Sequence, residues 1–234
     1  MSPIASHTAT AKTTRTGGAV LGLASRWWFQ GNWQGWWPRR FEWYFTSTRV
    51  GAGVRRAEEQ GVIAALDEFL EPSQRAADIG AGTGHYTLLL ARRCASVVAV
   101  DASPRMRGYL RERLDSENVA NVKVIAGRLP EQPATETEVD VVVCVGVLQY
   151  VQDLNASVAS LAGMVRPGGR VIFTVTPATR EVRSYARQEF LGRRRIWLRT
   201  DPEIRQAAAQ AELTIESLKT FADVTRLATA VRCR

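Results

Sequence analysis

The sequence has few cysteines and no long apolar run. Its three cysteines, Cys94, Cys144 and Cys233, are far apart and match no metal-ligand spacing. They predict reduced thiols, no metal site and a cytoplasmic protein. No apolar run is long enough to span a membrane, and residues 17–24 are too short and too rich in glycine for a signal peptide.

Lysine and histidine are also scarce, so arginine carries most of the positive charge. The net charge is +8, and segment 180–199 alone holds seven arginines against two glutamates. A basic protein invites a nucleic-acid interpretation. Because the excess is concentrated in one segment and strongly biased to arginine, we disfavour a nucleic-acid partner. Arg193 and its neighbours could instead bind a carboxylate or phosphate of a small ligand, or form a solvated basic face.

The length and the hydrophobic fraction of 45% are those of one globular domain. Residues 1–20 are rich in Ser, Thr and Ala and predict a disordered tail. We predict a single domain over 21–234, in which 21–70 form an N-terminal lid with helices and 71–234 form the core.

The most informative segment is 76–84, Ala-Ala-Asp-Ile-Gly-Ala-Gly-Thr-Gly. It predicts a strand that ends near Asp78, a turn with three glycines and a helix that begins at His85. Glycines in such a turn allow a sharp bend and a close approach of a ligand to the backbone. Asp101 ends the next predicted strand, where an acid can accept hydrogen bonds from ribose hydroxyls.

The spacing of these glycines argues against a dinucleotide site. That fingerprint requires glycine at the first, third and sixth positions, and the sixth position from Gly80 is His85. A carboxylate at Asp78 would also repel a pyrophosphate, whereas it would attract a cationic ligand.

Hydrophobic periodicity and turn residues predict alternating strands and helices. The predicted helices are 54–70, 85–94, 104–115, 156–165 and 201–211, and the predicted strands are 75–79, 96–100, 122–126, 139–145, 170–175, 213–221 and 226–232. This order predicts an α/β protein with a parallel sheet and right-handed crossovers, to which the last two strands add a hairpin.

Segment 76–84 resembles motif I, Asp-x-Gly-x-Gly-x-Gly, of the class I S-adenosylmethionine-dependent methyltransferases. Residues 139–151 look like the fourth-strand motif of that family, and Pro167-Gly168-Gly169 before the fifth strand is a third landmark. The resemblance covers roughly residues 54–232. It implies a Rossmann-like fold with a seven-stranded, mostly parallel sheet, a C-terminal antiparallel hairpin and an N-terminal aromatic helical lid.

The resemblance implies S-adenosyl-L-methionine as the cofactor and no metal. The residues that it implies for cofactor binding are Asp78, Gly80, Ala81, Gly82, Gly84, Asp101, Ala102, Arg128, Leu129, Cys144, Val145 and Gly146. One departure concerns the loop 126–130, which lacks the acid that many members place near the adenine amino group.

Six of the seven tryptophans lie between positions 27 and 43. We interpret this segment as a lid over the acceptor; packing on the core and attachment to a membrane surface are the alternatives. The candidate substrate residues are Trp36, Trp37, Tyr44, Gln149, Tyr150 and Arg193.

The resemblance implies methyl transfer to a small molecule, a secondary metabolite or a cofactor precursor. Such transfer is an in-line displacement, and a base is needed only when the acceptor must lose a proton. Tyr150 and His85 are the weak candidates for that base, with packing as their alternative role. The rival hypotheses are a nucleic-acid methyltransferase and a non-catalytic S-adenosylmethionine-binding protein. The oligomeric state is left open.

Overall fold

The computed structural model describes residues 37–47, 49–131, 138–179, 182, 196–221 and 224–233. The helices are α1 (Trp37–Ser47), α2 (Arg49–Asp67), α3 (His85–Ala91), α4 (Pro104–Ser116), α5 (Leu154–Met164) and α6 (Asp201–Gln210). The strands are β1 (Arg75–Ile79), β2 (Ser96–Asp101), β3 (Val122–Ala126), β4 (Val139–Cys144), β5 (Val165–Pro177), β6 (Leu198–Arg199), β7 (Leu213–Phe221) and β8 (Thr225–Arg232), and a 3₁₀ turn spans Leu148–Tyr150. The predicted tail lies outside the described residues.

The strands form one sheet in the order β3-β2-β1-β4-β5-β8-β7, and β6 pairs with β5 beside this path. The first five strands are parallel, and β8 runs antiparallel to both β5 and β7. The predicted α/β class, parallel sheet and terminal hairpin are therefore confirmed. The two-residue β6 was not predicted, because it is too short to show a periodic pattern.

The core lies on both faces of the sheet, as the β-branched run of β4 predicts. Val141 and Val143 pack on one face with Val62 and Leu66 of α2. Alternate residues of β4 face the opposite layer, where α5 and α6 pack. The sheet is therefore sandwiched between two helical layers.

Several element boundaries differ from the prediction, and the two largest differences are at the starts of β5 and α2. Strand β5 begins at Val165, because Val165 pairs with Val139 before an irregularity in the register. Gly169 is required inside this irregularity, since a Cβ there would lie 2.6 Å from the carbonyl oxygen of Asp140. Helix α2 begins at Arg49. Its first turns contain Gly51 and Gly53, and because glycine has a low helix propensity the sequence did not predict this start.

The reversal of strand order places a crevice at one edge of the sheet. The chain passes from β1 to β2 and β3 on one side, and then returns to β4 on the other side of β1. In open parallel sheets, ligands bind beyond the carboxyl ends of the strands at this switch point. Within the part of the chain that the structure describes, no helix has the length and hydropathy to cross a bilayer.

Candidate active site

The loop between β1 and α3 has three glycines in the left-handed region. The φ angles are +79° at Gly80, +54° at Gly82 and +88° at Gly84. A Cβ on Gly80 would lie 2.1 Å from Val147 Cγ2, and one on Gly84 would lie 2.3 Å from Leu110 Cδ1. Gly82 has no such neighbour, since the nearest atom to its Cβ would be 3.8 Å away. The outer two glycines thus permit close packing, while the middle one leaves open space beside the loop.

Most of the N–H groups of this loop are already used inside the protein. Gly80 and Ala81 donate to the carbonyl oxygen of Val100, at 2.7 and 3.0 Å, and Gly84 donates to Ala81 at 2.8 Å. Gly82 donates to Oδ2 of Asp101 at 2.9 Å. A phosphate-binding loop instead directs its N–H groups at the ligand. The arrangement therefore disfavours a phosphate, and Asp101 is the acid that contacts this loop directly.

Asp101, at the end of β2, is fixed by two backbone donors. Its Oδ1 accepts from the N–H of Ser103 at 2.8 Å, while its Oδ2 accepts from Gly82. Burial raises the pKa of this carboxyl, although both hydrogen bonds oppose the rise. Each carboxylate oxygen retains acceptor capacity for a hydroxyl donor.

Asp78, inside β1, is buried and only 2% exposed. Its Oδ2 accepts a hydrogen bond from Thr87 Oγ1 at 2.6 Å. Burial raises the pKa of this carboxyl to about 7, and the nearby charge of Asp101 adds to the rise. A positively charged ligand at the loop would favour the ionised form of Asp78.

The segment after β4 forms the other wall of the crevice. Gly146 donates its N–H to Thr174 Oγ1 at 2.9 Å, and Val147 lies against Gly80. The 3₁₀ turn that follows carries Gln149 and Tyr150, both half-buried. The structure thus brings the motif after β4 next to the glycine loop.

Arg199 lies in β6, and the sequence alone did not single it out as a functional residue. Its Nη2 donates to the carbonyl oxygens of Val151 and Gln152, at 2.7 and 2.8 Å. The N–H of Trp197 donates to the carbonyl oxygen of Gln149 at 2.7 Å. These bonds hold the 3₁₀ turn against β6. In the sequence, Arg199 was one more residue of a basic segment, and only its burial distinguishes it.

His85 contacts α2 at the start of α3. Its Nε2 lies 3.4 Å from Glu59 Oε1, without the geometry of a hydrogen bond. Burial lowers the pKa of the imidazole. A neutral imidazole can accept a proton. The His85 ring, however, contacts Glu59 of α2.

The remaining predicted residues differ in their surroundings. Ala102 and Arg128 are exposed, whereas Leu129 and Val145 are buried. Cys144 is completely buried in the core, so its side chain does not reach the crevice. Trp36 and Arg193 lie outside the described residues, and Trp37 and Tyr44 lie on α1.

These features fit a cationic ligand that also carries hydroxyl groups. Two acids stand near the ends of neighbouring strands, and most of the loop N–H groups are hydrogen-bonded inside the protein. S-adenosylmethionine has this chemistry, since it combines a sulfonium and an ammonium with a ribose and has no phosphate. Within the described ranges, no group of three or more His, Cys, Asp or Glu is placed to hold a metal ion.

Comparison with known proteins agrees with this fit. Residues 77–173 match the family model described as a methyltransferase domain. An uncharacterized methyltransferase of Mycobacterium tuberculosis is 36% identical over 108 residues, which are 46% of this chain and 42% of the relative. A malonyl-[acyl-carrier protein] O-methyltransferase of Serratia marcescens is 28% identical over 107 residues, 46% of this chain and 40% of the relative. The chain thus spans less than half the length of these curated relatives.

Among solved structures, magnesium protoporphyrin IX methyltransferase from Synechocystis with bound SAH has the same fold. The TM-score is 0.71 at 21% identity, and the alignment covers 90% of this chain and 99% of that one. The strand order, the glycine loop and the match to the family model all indicate a methyltransferase domain. Residues 77–173 are therefore a methyltransferase domain, and this match together with related folds that hold SAM or SAH supports S-adenosyl-L-methionine as the cofactor.

Proposed function

We propose that the protein transfers a methyl group from S-adenosylmethionine to a small-molecule acceptor, a secondary metabolite or a cofactor precursor, at the crevice between β1 and β4. The observation that carries this proposal is the pairing of two acids, buried Asp78 and half-buried Asp101, with a glycine loop in which most N–H groups are hydrogen-bonded inside the protein. That combination suits a cationic nucleoside better than a nucleotide.

Each wall of the crevice has a proposed role in cofactor binding. The carboxylate of Asp101 accepts from the ribose hydroxyls, and the charge of Asp78 favours the cationic methionine end. The space beside Gly82 admits the ligand close to the backbone. When bound, S-adenosylmethionine supplies an electrophilic methyl group on a positively charged sulfur. The remaining predicted contacts, at Ala102, Arg128 and Leu129, stay proposals for the adenine side.

The proposed acceptor wall is the 3₁₀ turn with Gln149 and Tyr150, backed by Trp197. Backbone bonds hold these residues on a firm support, and alignment of the acceptor with the methyl group supplies much of the rate. Tyr150 is the proposed proton acceptor if one is needed, because it lies on the turn beside the crevice. His85 is less favoured, because it faces α2.

A small-molecule acceptor is supported over a nucleic acid by the segment after β4. Residues 145–150 lack the Asn/Asp-Pro-Pro-Tyr sequence of amino-methylating nucleic-acid enzymes. A further relative, of Tropheryma whipplei, is named demethylmenaquinone methyltransferase. The cytoplasmic location and the division of the chain into a tail, a lid and a core stay predictions.

The test is methyl transfer from S-adenosylmethionine labelled in its methyl group. The purified protein is offered pools of small aromatic, carboxylic and phenolic acceptors beside total RNA and DNA. Label in a small molecule supports the proposal, and label in nucleic acid alone contradicts it. A protein that binds the cofactor but labels none of these pools would be the non-catalytic alternative.

We expect cofactor affinity to rise with pH up to about 7. Below that pH the free protein carries a proton on Asp78, and a bound cation lowers the pKa of that carboxyl, so binding expels the proton. Affinity should therefore increase by up to about tenfold per pH unit between about pH 5 and 7, and then level off. The α-amino group of the ligand stays protonated in this window, because such groups titrate near about 8.

Calorimetric titration across this window measures the slope. Asp78→Asn keeps an oxygen that can accept from Thr87 and removes the ionisation, so its slope should be flatter than that of the wild type. The remaining slope reports Asp101, whose pKa burial also raises. Equal slopes in the two proteins would rule out Asp78 as the linked group.

We expect Arg199→Gln to loosen the acceptor wall without affecting the cofactor. The substitution leaves the carbonyl oxygens of Val151 and Gln152 without their cationic donor, which should cost about 1–3 kcal/mol of unfolding free energy. Urea unfolding measures this loss, and calorimetry should show unchanged affinity for S-adenosylmethionine. Arg205→Gln removes an exposed arginine from nearby α6 and should change neither quantity. A stability equal to that of the wild type would show that Arg199 does not hold the turn.

A further inference from the structure

Helix α1 is joined to the glycine loop by one side chain. Oε2 of Glu42 accepts a hydrogen bond from Thr83 Oγ1 at 2.7 Å. Glu42 lies in the helix that precedes the core, and Thr83 lies between the second and third glycines of the loop. The contact therefore connects a segment outside the matched domain, 77–173, to the center of the cofactor loop.

The other oxygen of Glu42 is bound as well. Its Oε1 accepts from Arg55 Nη1 at 3.1 Å, and the two side chains are only 20% and 12% exposed. The guanidinium of Arg55 also lies 4.6 Å from the ring centroid of Phe45. Arg55 on α2 thus orients the carboxylate of Glu42 toward the loop, and partial burial strengthens both interactions.

Thr83 is held from two directions. Its hydroxyl donates to Glu42 of α1, and its carbonyl oxygen accepts from Arg113 Nη1 of α4 at 3.3 Å. The side chain is almost completely buried. The residue before it, Gly82, donates its N–H to Asp101. Fixing Thr83 therefore restricts a glycine-rich stretch that would otherwise have large conformational freedom.

We propose that Glu42 is a positioning residue for the cofactor loop, and that α1 belongs to the cofactor site. Glu42 acts through Thr83: it holds the loop in the conformation that brings Gly82 to Asp101 and keeps the space beside Gly82 open. This inference rests on the proposed function, because an ordered loop matters here only if the loop binds S-adenosylmethionine. It assigns α1 a role that the aromatic residues of this helix had not suggested.

The physical expectation is a loss of affinity from a loop that is no longer pre-ordered. Ordering a loop in its binding conformation before the ligand arrives removes part of the entropy that binding would otherwise cost. A hydrogen bond to a charged group is strong enough to change affinity by about tenfold or more. We therefore expect Glu42→Ala and Thr83→Val each to weaken binding of S-adenosylmethionine by about tenfold.

The experiment is a double-mutant cycle on the full chain, with calorimetry of S-adenosylmethionine and the thermal midpoint without cofactor as the two readouts. Because the two residues act through one bond, the double variant should bind no more weakly than either single variant. Thr83→Ser keeps the hydroxyl and should retain most of the affinity. Glu42→Gln keeps an acceptor but loses the charge, and should fall between wild type and Glu42→Ala.

Asp67→Asn is the matched control. Asp67 forms a 2.7 Å ion pair with Arg93 that also ties an N-terminal helix to the region after α3, near the other end of α2. Its loss should leave cofactor affinity unchanged. If Glu42 were merely structural, Glu42→Ala would lower the thermal midpoint and leave affinity as it is, and this result would overturn the inference.

Independent, additive losses in the cycle would also overturn it. Failure of the wild-type protein to bind S-adenosylmethionine would remove the proposed function and this inference together. Normal binding by both the wild type and the Glu42 variants would remove only the inference. The two failures are thus distinguishable within one set of titrations.

Discussion

Asp101→Ala is expected to bind S-adenosylmethionine on the order of a hundredfold more weakly than the wild-type protein. The substitution removes the acceptor proposed for the ribose hydroxyls, and hydrogen bonds to a charged group contribute about 1.5–3 kcal/mol each. It also releases the N–H groups of Gly82 and Ser103, which Asp101 holds at 2.9 and 2.8 Å. Calorimetric titration measures the loss directly.

Two further variants test whether this loss is specific to the site. Asp101→Asn keeps the size and one acceptor oxygen, so its affinity should lie between those of the wild type and Asp101→Ala. Asp115→Ala removes an exposed acid from the far end of α4 and should bind as the wild type does. Wild-type affinity in Asp101→Ala would contradict the role proposed for this carboxylate.

Gly80→Ala is expected to cost about 3 kcal/mol of unfolding free energy and to abolish cofactor binding. The new Cβ would lie 2.1 Å from Val147 Cγ2, and the residue would have to keep a φ of +79°. Both the left-handed backbone and the overlap with Val147 are unfavourable for alanine. In a chain of this size, such a loss should lower the thermal midpoint by about 10 °C.

Gly82→Ala separates the two causes of this loss. Its φ of +54° imposes a similar backbone cost, but its Cβ would meet no atom closer than 3.8 Å. We expect a stability loss of about 1 kcal/mol, with weaker cofactor binding because the methyl group enters the open space. Adding Val147→Ala to Gly80→Ala should recover part of the lost stability. Equal losses in the two glycine variants would show that Val147 is not the obstacle.

The fold was predictable where local chemistry and long-range packing agree. The valine-rich sequence of β4, in which Asp140 is the one charged residue, predicts a strand buried on both faces, and it is one. The cap of α4 is visible in the sequence as Ser103-Pro104, and the Ser103 side chain accepts from the helix backbone. For α6 the sequence indicates Asp201-Pro202 as the cap, whereas the residue that caps the helix is Thr200, one position earlier. The start of β5 was missed because the pairing of Val165 with Val139 is a tertiary contact inside a turn-like sequence.

The candidate site also contains residues that the sequence could predict and residues that it could not. The glycine loop and its two acids could be found because they lie close together in the sequence, in a spacing that chemistry constrains. The bond between Glu42 and Thr83 could not, since a single glutamate on an amphipathic helix carries no signal of its partner. Arg199 could not be found either, because it is one of many arginines in its segment and the sequence does not show which of them is buried.

The most direct test of the central claim is calorimetric titration of S-adenosylmethionine into the purified wild-type protein, beside a titration of NAD. We predict one-to-one binding of S-adenosylmethionine with a dissociation constant of about micromolar, and no binding of the phosphate-bearing dinucleotide. Folded protein that binds NAD, or that binds neither ligand, would contradict the assignment of the crevice between β1 and β4 as a site for S-adenosylmethionine.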